Sequence, residues 1–468
     1  MNLTIGQIAE ATGGRLVYNG PDNAQDAFLA TKADSVVLDS RQVTEGGVFV
    51  ATVGERVDGH SFVASVFEKG ALLAVVQREP EEVEYWGSYL VVEDTLAALK
   101  QIAEAYRKTL TIPVIGITGS VGKTSTKEFI AGVLSEKYNV LKTQGNYNNE
   151  IGVPLTLLRI REEHEAAVIE MGISDFGEMH RLSKMARPDI AVITNIGQCH
   201  LENLGDRDGV LRAKTEIFDF MAADGKICLN GDDDKLRTVA ATKGRELRFF
   251  GIGEDAGKSV YATEVQNKGL WGSTAVLHSA KGECFTAEVP LPGIHMVLNA
   301  TAAACVAEWL GLTAEQIQEG VKKVAAVGGR NNLIRTEKYT LIDDCYNANP
   351  VSMKAGIDLL CMADTVTAAI LGDMFELGTD SDKMHAEVGA YAAEKGVDCI
   401  LCVGENSRHM YEAAVQAAGT DRVAYFATRE ELLAVLNTAP ETVLPEGSTV
   451  LIKASHGMKF SEVVEILQ

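Results

Sequence analysis

The sequence predicts an α/β protein with three domains. Three observations predict this class: a length of 468 residues, a glycine-rich loop between an apolar strand and a helix, and a long alternation of strand-like and helix-like segments. We expect a small mixed α/β domain at residues 1–93. A central domain with a parallel sheet and an antiparallel insertion should follow at 94–327, and a doubly wound, Rossmann-like domain at 328–468.

The central domain is organised around residues 112–138, which read IPVIGITGSVGKTSTKEFIAGVLSEKY. A run of β-branched residues predicts a buried strand, and a helical pattern after the glycines runs through Ile130 and Leu134 to Tyr138. Strand, glycine loop and helix in this order form the context of a loop that cradles phosphates.

The residue types of this loop suit phosphate binding. Gly119 and Gly122 let the backbone turn its N–H groups toward phosphate oxygens, and the start of the helix adds its dipole. Lys123 brings positive charge to the β- and γ-phosphates, and the Thr124 hydroxyl can ligate Mg²⁺. The loop has the shorter GxxGKT form, because Ile117 stands where the common pattern has its first glycine. The alternative interpretation is a glycine turn with a surface lysine.

Composition argues against several classes of binding partner and against a secreted or membrane-spanning protein. The formal net charge of −22 and the pI near 4.9 argue against a nucleic-acid or anionic-membrane partner. The first residues lack the basic and apolar regions of a signal peptide, and no apolar run is long enough to span a membrane. The eight cysteines are scattered along the chain, and this pattern favours reduced thiols over disulfides. We therefore expect a cytoplasmic protein.

Polar residues follow two apolar runs of the central domain. Glu170 closes the run AAVIE, and His200 follows IAVITN in TNIGQCHLE. Because the ligand crevice of an open α/β sheet lies off the carboxyl ends of its strands, we expect both residues on the same edge as Thr124. A carboxylate, an imidazole and a hydroxyl around phosphates favour a Mg²⁺ site. The alternative is that Glu170 and His200 are turn residues.

Lys214 interrupts an apolar stripe. Residues 207–222 predict a helix whose buried face holds Val210, Ile217, Phe218 and Met221, with Lys214 in the i+4 position. A lysine in such a stripe either extends its stem toward solvent or has its charge neutralised or directed to a site.

Other polar groups leave two interpretations open. The asparagines at 146, 148 and 149 either cap turns or contact a ligand beside the loop. His295 and Asn299 share a helix face, and they either cap and pack that helix or face a ligand. Arg41 either forms a surface salt bridge or binds a phosphate. In the third domain, Asn349 and Pro350 predict the start of a helix.

These motifs together resemble the Mur ligase family over nearly the full chain. The resemblance rests on TGSVGKTS, NYNNEIGVPLTLL, the Glu170-Met171-Gly172 strand end, TNIGQCHLE, AKTEIF and LNGDDD. DDCYNANPVSM and LGDMFELG resemble the D-alanyl-D-alanine-adding branch. DSR and DGHSF near the N-terminus resemble the UDP-sugar-binding domain of that branch.

The resemblance implies an ATP-dependent amide ligase that makes peptidoglycan precursors. ATP would phosphorylate the terminal carboxylate of a UDP-N-acetylmuramoyl-tripeptide, and the amine of D-alanyl-D-alanine would attack the acyl phosphate. ATP and Mg²⁺ would be the cofactors, and the partners would be these small molecules. We expect a monomer. The rival interpretations are a sister Mur ligase, a folylpolyglutamate synthase, or a nucleotide-hydrolysing switch protein that joins nothing.

The resemblance also implies roles for individual residues. The catalytic residues would be Lys123, Lys214 and His200. Metal would be held by Thr124, Glu170, His200 and Lys214, the last as a carbamate. ATP would contact Thr118, Gly119, Ser120, Val121, Gly122, Lys123, Thr124, Asn299, Arg330 and Asp344. Substrates would contact Ser40, Arg41, Asn146, Asn149, Tyr346 and Asn347.

The chain departs from the family's pattern near its C-terminus. The family often has Lys-Gly-Ser-Arg where this chain has Lys453-Ala454-Ser455-His456. His456 therefore stands in the place of an arginine, and selectivity for D-alanyl-D-alanine would rest on other residues.

Overall fold

The computed structural model describes residues 1–54, 57–80, 87–197, 199–240, 242–255, 257–326, 332–375 and 377–468, apart from the side chains of Leu201 and Thr379. The chain forms two compact units. The first unit contains residues 1–263, 276–287 and 298–321, and the second contains residues 264–275, 288–297 and 322–468. Three sheets run through the chain in order, which confirms the predicted α/β class.

The N-terminal sheet has five strands in the order β1-β5-β4-β3-β2, and all pairs except β1–β5 are parallel. Apolar residues cover both of its faces, one against α3 and the other against α1 and α4. The elements are α1 Ile5–Thr12, β1 Arg15–Val17, α2 Gln25–Ala30, β2 Val36–Val37, β3 Val48–Val50, α3 Val63–Glu68, β4 Leu73–Val76, β5 Ser88–Val91 and α4 Thr95–Thr109.

The central sheet has nine strands in the order β14-β13-β12-β11-β10-β9-β6-β8-β7. Its elements are β6 Val114–Thr118, α5 Lys123–Leu134, β7 Val140–Lys142, α6 Gly152–Leu157, β8 Ala166–Glu170, α7 Glu178–Ala186, β9 Ile190–Ile193, α8 Leu201–Leu204, α9 Arg207–Thr215, β10 Lys226–Asn230, β11 Glu246–Ile252, β12 Val260–Asn267, β13 Ser273–His278, β14 Cys284–Val289, α10 Ile294–Trp309 and α11 Ala314–Lys322.

Strand β6 lies between β9 and β8, and all three run parallel. Their residues are buried on both faces, as the continuous apolar runs predict. The segments that follow these strands therefore leave the sheet at one edge. That edge, which we call the phosphate-loop edge, carries the glycine loop after β6, Glu170 at the end of β8, and residues 194–197 and 199–200 after β9.

The C-terminal sheet has six strands in the order β15-β16-β20-β17-β18-β19, with β15 antiparallel and the other pairs parallel. Asn349 caps α12 and Pro350 is its first residue, as predicted. The elements are β15 Asn332–Arg335, β16 Thr340–Asp343, α12 Pro350–Leu360, β17 Thr367–Gly372, α13 Ser381–Glu394, β18 Cys399–Val403, α14 Ser407–Ala418, β19 Val423–Phe426, α15 Arg429–Thr438, β20 Thr449–Lys453 and α16 Ser461–Leu467.

Two predicted helices are shorter in the structure. Helix α5 ends at Leu134, and Tyr138 lies beyond it, where its hydroxyl donates to the Leu310 carbonyl. Helix α9 ends at Thr215 and continues as a 3-10 turn over Glu216–Phe218. The buried stripe keeps its predicted faces, because this tighter turn still directs Ile217 and Phe218 inward.

Two further features bear on the sequence predictions. Residues 257–292 form three strands that extend the central sheet, and β12 joins it parallel to β11. Of the helices that the structure describes, none is long and apolar enough to cross a membrane.

Candidate active site

The glycine loop has the backbone that phosphate binding needs. Gly119 has a φ of 151°, and a Cβ built there would lie 1.9 Å from the Thr194 hydroxyl. Gly122 has a φ of 81° and stands at the N-cap of α5. Both positions therefore favour glycine, one through close approach and the other through its left-handed backbone. The loop leads directly into the first turn of α5, whose N–H groups have no acceptor inside the helix.

Residues after β9 hold the loop in place. Asn195 accepts a hydrogen bond from the Val121 N–H and donates one to the Val121 carbonyl, both at 3.0 Å. Its own carbonyl accepts from the Ser120 N–H at 3.1 Å. The Ser120 hydroxyl in turn accepts from the Gly197 N–H at 2.8 Å. The loop and the segment that leads to His200 are thus one hydrogen-bonded body.

Lys123 lies over the loop that precedes it. Its ammonium donates to the carbonyls of Gly119 at 2.9 Å and Ser120 at 3.4 Å. The amine is therefore held against the loop for which the resemblance implies contacts with β- and γ-phosphates.

Thr124 and Glu170 meet at the phosphate-loop edge. The Thr124 hydroxyl donates to Oε2 of Glu170 at 3.0 Å, and both side chains are buried. The other oxygen of Glu170, Oε1, accepts from the Asn148 amide at 2.8 Å. The two candidate metal ligands thus lie side by side, with an asparagine fixing the carboxylate from the far side.

Lys127 is a second lysine of α5 at this edge, and it is 2% exposed. Its ammonium donates to the Thr143 carbonyl at 2.8 Å and lies 3.8 Å from Oε2 of Glu170. A third contact, at 3.3 Å, is to the carboxylate of Glu128.

Lys214 is 1% exposed, so its stem does not lead the amine to solvent. Burial, and after it the positive charge of Lys123, lowers the pKa of Lys214 to about 8. The third group that acts on its charge is Cys199. The lowered pKa brings the neutral amine of Lys214 closer to physiological pH than that of an ordinary lysine, which the apolar-stripe pattern alone could not indicate.

The His200 side chain lies near two cations, Lys123 and Lys214. Burial, and then the charges of Lys214 and Lys123, lower the pKa of the His200 imidazole. A neutral imidazole has a lone pair available for a metal or a proton. The backbone of His200 has a φ of 51°, a left-handed conformation that histidine adopts more readily than most residues. Lys123, His200 and Lys214, each predicted as catalytic, therefore lie in one electrostatic environment.

Two further predicted residues of this unit have structural partners. Asn299, 7% exposed, accepts a hydrogen bond from the Thr126 hydroxyl at 2.9 Å, which ties α10 to α5. Asn149 accepts from the N–H groups of Ile151 and Gly152 and caps a turn, one of its two predicted roles. Asn146 is exposed beside it.

The second unit has its own polar edge, at the carboxyl ends of β16 and β20. Asp344 forms an ion pair with Lys453 at 2.6 Å, and both residues are buried. The Lys453 ammonium also donates to the Asn347 carbonyl at 2.9 Å. The rings of Tyr346 and His456 lie 5.8 Å apart, with His456 exposed. Arg330 lies outside the residues that the structure describes.

Near the N-terminus, Arg41 forms a surface salt bridge, which is one of the two roles that the sequence left open. The guanidinium bonds both carboxylate oxygens of Asp39 and keeps 87% of its side-chain surface exposed. The pair lowers the pKa of Asp39 to about 2. The carbonyl of Ser40 accepts from the Lys69 ammonium at 2.7 Å.

Comparisons with known proteins identify the family of this chain. Three family profiles match successive segments. They are described as "Mur ligase family, catalytic domain" at residues 32–107, "Mur ligase middle domain" at 117–307 and "Mur ligase, glutamate ligase domain" at 329–456. The UDP-N-acetylmuramoyl-tripeptide--D-alanyl-D-alanine ligase of Bacillus subtilis is 36% identical, over 99% of this chain and 98% of its own. The chain belongs to the Mur ligase family.

Solved structures agree with this assignment. MurF of Acinetobacter baumannii superposes on this Mur ligase with a TM-score of 0.88 and 34% identity, covering 100% of this chain and 99% of its own. MurF of Thermotoga maritima, solved in complex with ADP, gives a TM-score of 0.76 and 28% identity over 92% of this chain and 96% of its own. The three-domain α/β architecture predicted from sequence is that of these proteins.

The donor set of this Mur ligase fits a magnesium ion. Mg²⁺ prefers oxygen ligands and is commonly held by one or two carboxylates together with substrate phosphates. Thr124 and Glu170 offer such oxygens beside the phosphate loop. Among the residues described, no three His, Cys, Asp or Glu side chains gather as a preformed metal site.

Sequence reasoning missed several contacts of this site. Asn148 was noticed only as part of an asparagine cluster, yet it is the one of the three that bonds Glu170. Lys127 and Asn195 were not singled out. The loop motif drew attention to Lys123 alone, and the Thr143 partner of Lys127 and the Val121 partner of Asn195 are 16 or more positions away in sequence. A buried lysine in the helix after a phosphate loop is a signal that helical periodicity could have given.

Proposed function

We propose that this chain joins D-alanyl-D-alanine to UDP-N-acetylmuramoyl-tripeptide at the expense of ATP. The observation that carries the proposal is the arrangement of Lys123, Thr124, Glu170, His200 and Lys214 at the phosphate-loop edge of a Mur ligase fold. Full-length similarity to ligases that carry this name supports the choice of substrates.

The nucleotide would bind at residues 118–124, with further contacts from Asn299, Arg330 and Asp344. The loop backbone and Lys123 would hold the phosphates in a fixed geometry, so that the γ-phosphoryl group is presented to the acceptor carboxylate. The ADP complex of the Thermotoga relative supports a nucleotide at this fold.

Thr124, Glu170 and His200 would hold Mg²⁺, which supplies charge neutralisation on the phosphoryl group when bound. Lys214 would contribute as a carbamate. Its pKa of about 8 leaves a neutral amine that can attack carbon dioxide, forming an N–C bond and releasing a proton. The product is a carboxylate, which replaces a positive charge that burial and Lys123 disfavour.

The reaction would then proceed in two steps, a phosphoryl transfer followed by an acyl transfer. A carboxylate oxygen of the tripeptide attacks the γ-phosphorus, and ADP leaves. The amine of D-alanyl-D-alanine attacks the acyl carbon, and phosphate leaves with the carboxylate oxygen. Lys123 stabilises negative charge on the phosphoryl oxygens during the first step.

Residues away from the phosphate loop would recognise the two ends of the substrates. Ser40 and Arg41 would contact the UDP end, and Asn146 and Asn149 the muramoyl peptide. Tyr346 and Asn347 would face the nucleotide and the dipeptide. Arg41 keeps its guanidinium exposed while it bonds Asp39. It can therefore donate hydrogen bonds to a phosphate as well, and no buried charge loses its partner when it does so.

The test is ADP release with UDP-N-acetylmuramoyl-tripeptide alone, with D-alanyl-D-alanine alone, and with both. We expect release only when both are present. Rapid hydrolysis without either substrate would indicate a nucleotide-driven switch, and a response to glutamate or a diamino acid would indicate a sister ligase.

A further inference from the structure

A buried lysine at the phosphate-loop edge has no part in the mechanism above. Lys127 lies three residues after Thr124 on α5, so the two side chains share a face of the helix. Lysine is among the residues that are almost never fully buried unless paired, yet Lys127 is 2% exposed. Its contacts therefore need an explanation.

The contacts of Lys127 converge on Glu170 by two routes. Directly, its ammonium lies 3.8 Å from Oε2 of Glu170, the same oxygen that accepts from Thr124. Indirectly, it donates to the carbonyl of Thr143, while the Thr143 hydroxyl accepts from the Glu170 N–H at 2.9 Å. Lys127, Thr143 and Glu170 thus form a closed set of polar contacts.

This set spans three elements of the central sheet. Lys127 comes from α5, Thr143 follows β7, and Glu170 ends β8. The Thr143 N–H donates to the Val168 carbonyl at 3.0 Å, so Thr143 is itself anchored to the strand that carries Glu170. A displacement of Lys127 would therefore release the backbone and the carboxylate of Glu170 together.

We propose that Lys127 is a positioning residue that holds the Glu170 carboxylate in the orientation needed to bind Mg²⁺ with the nucleotide. This inference rests on the proposed function. Lys127 touches neither substrate nor phosphate in this role. It acts through Glu170, by attraction to Oε2 and through Thr143.

The chain offers a matched control. Lys142 pairs with Oε2 of Glu128, while Lys127 lies 3.3 Å from Oε1 of the same carboxylate. Lys142 is about half exposed and has no contact with Glu170 among the described residues. Lys142→Met therefore removes a cation from Glu128 without changing the surroundings of Glu170.

The experiment measures binding of a non-hydrolysable ATP analogue by calorimetry at increasing Mg²⁺ concentration. Lys127→Met keeps the length of the stem and removes the charge. We expect its half-saturating Mg²⁺ concentration to rise about tenfold, as expected when an outer partner of a metal ligand is lost. Lys127→Arg should recover part of this loss, and Lys142→Met should behave as the wild type.

A second variant covers the case in which Lys127→Met does not fold. Thr143→Val keeps Lys127 and the shape of the side chain, and cuts only the hydroxyl contact to the Glu170 N–H. It should raise the Mg²⁺ requirement in the same direction. Circular dichroism melting shows whether each variant is folded at the assay temperature.

An unchanged or lower Mg²⁺ requirement in a folded Lys127→Met or Thr143→Val protein would overturn the proposal and leave Lys127 with a role in stability only. Because the readout is binding, this result is separate from the fate of the proposed function. Wild-type protein that binds the Mg²⁺–analogue complex and ligates nothing would refute the ligase assignment alone.

Discussion

Two lysines are buried to the same degree in the two units of this chain, and their surroundings differ. Lys214 is 1% exposed and Lys453 is 2% exposed. Lys453 has the Asp344 carboxylate at 2.6 Å and the Asn347 carbonyl at 2.9 Å. Lys214 instead shares its environment with Lys123, and its pKa falls to about 8.

The comparison shows that a buried lysine takes its chemistry from its neighbours. Lys453 contacts the Asp344 carboxylate and the Asn347 carbonyl and so ties the ends of β16 and β20 together. A neighbouring cation disfavours the ammonium form, so Lys214 is suited to become a neutral nucleophile and then a carbamate. Three predictions test this difference, and a fourth concerns the exposed ion pair of Arg41.

The largest effect is expected at Lys214. Lys214→Ala removes the group that would form the carbamate, and we expect ligation to fall on the order of a thousandfold. Acetate, a small carboxylate that fits the vacated space, should restore part of the activity measured as ADP release. Lys184→Ala, which removes an exposed lysine of α7, should retain wild-type activity. If the Lys214→Ala enzyme retains wild-type activity, Lys214 has no catalytic role as a carbamate.

The second effect concerns the stability of the C-terminal region. Lys453→Met removes the cation that lies 2.6 Å from the buried Asp344 carboxylate, which should lower the free energy of unfolding by about 3–5 kcal/mol in urea denaturation. Adding Asp344→Asn should recover much of the loss, because the carboxylate that the lost cation faced is then replaced by a neutral amide. If the double variant is as unstable as Lys453→Met alone, the pair is not the source of the effect.

The third effect is a pH dependence that only Lys214 should show. The unfolded chain holds the proton of Lys214 up to a pKa near 10.5, while the folded chain releases it near 8. Between these values the unfolded state binds more protons, so stability rises with pH. In carbon-dioxide-free buffer, the wild type should gain about 3 kcal/mol over Lys214→Met across this window. Equal pH slopes for the two proteins would contradict the lowered pKa.

The smallest stability effect is expected at Arg41, whose ion pair with Asp39 is exposed. Arg41→Ala should leave the melting temperature unchanged, because solvent screens such a pair. If Arg41 contacts the UDP end, the KM for the UDP-linked tripeptide should rise while kcat is retained. An unchanged KM would remove Arg41 from the substrate site.

Local patterns predicted most of the fold and the centre of the site. The phosphate loop could be found because its strand, glycines and helix are contiguous, and Glu170 and His200 because parallel strands place their carboxyl ends at one edge. The predicted end of helix α9 was wrong for a tertiary reason. Ser183 on α7 donates to the Ile217 carbonyl and Glu216 accepts from the His180 N–H, so packing favours the 3-10 turn.

The remaining contacts depend on residues far apart in sequence. Asp344 and Lys453 are separated by more than a hundred positions, and no periodicity links them. Helical periodicity could have indicated that Lys127 is buried, but not its contacts with Thr143 after β7 and with Glu170 at the end of β8, which depend on the packing of α5. The domain boundaries at 93 and 327 and the roles of the site residues stay predictions.

The most direct measurement of the central claim follows the oxygen atoms of the tripeptide. The terminal carboxylate is labelled with ¹⁸O, and the phosphate released with ADP is analysed by mass spectrometry. Activation of that carboxylate as an acyl phosphate predicts one labelled oxygen in each phosphate formed with product. Unlabelled phosphate, accompanied by product formation, would contradict the account.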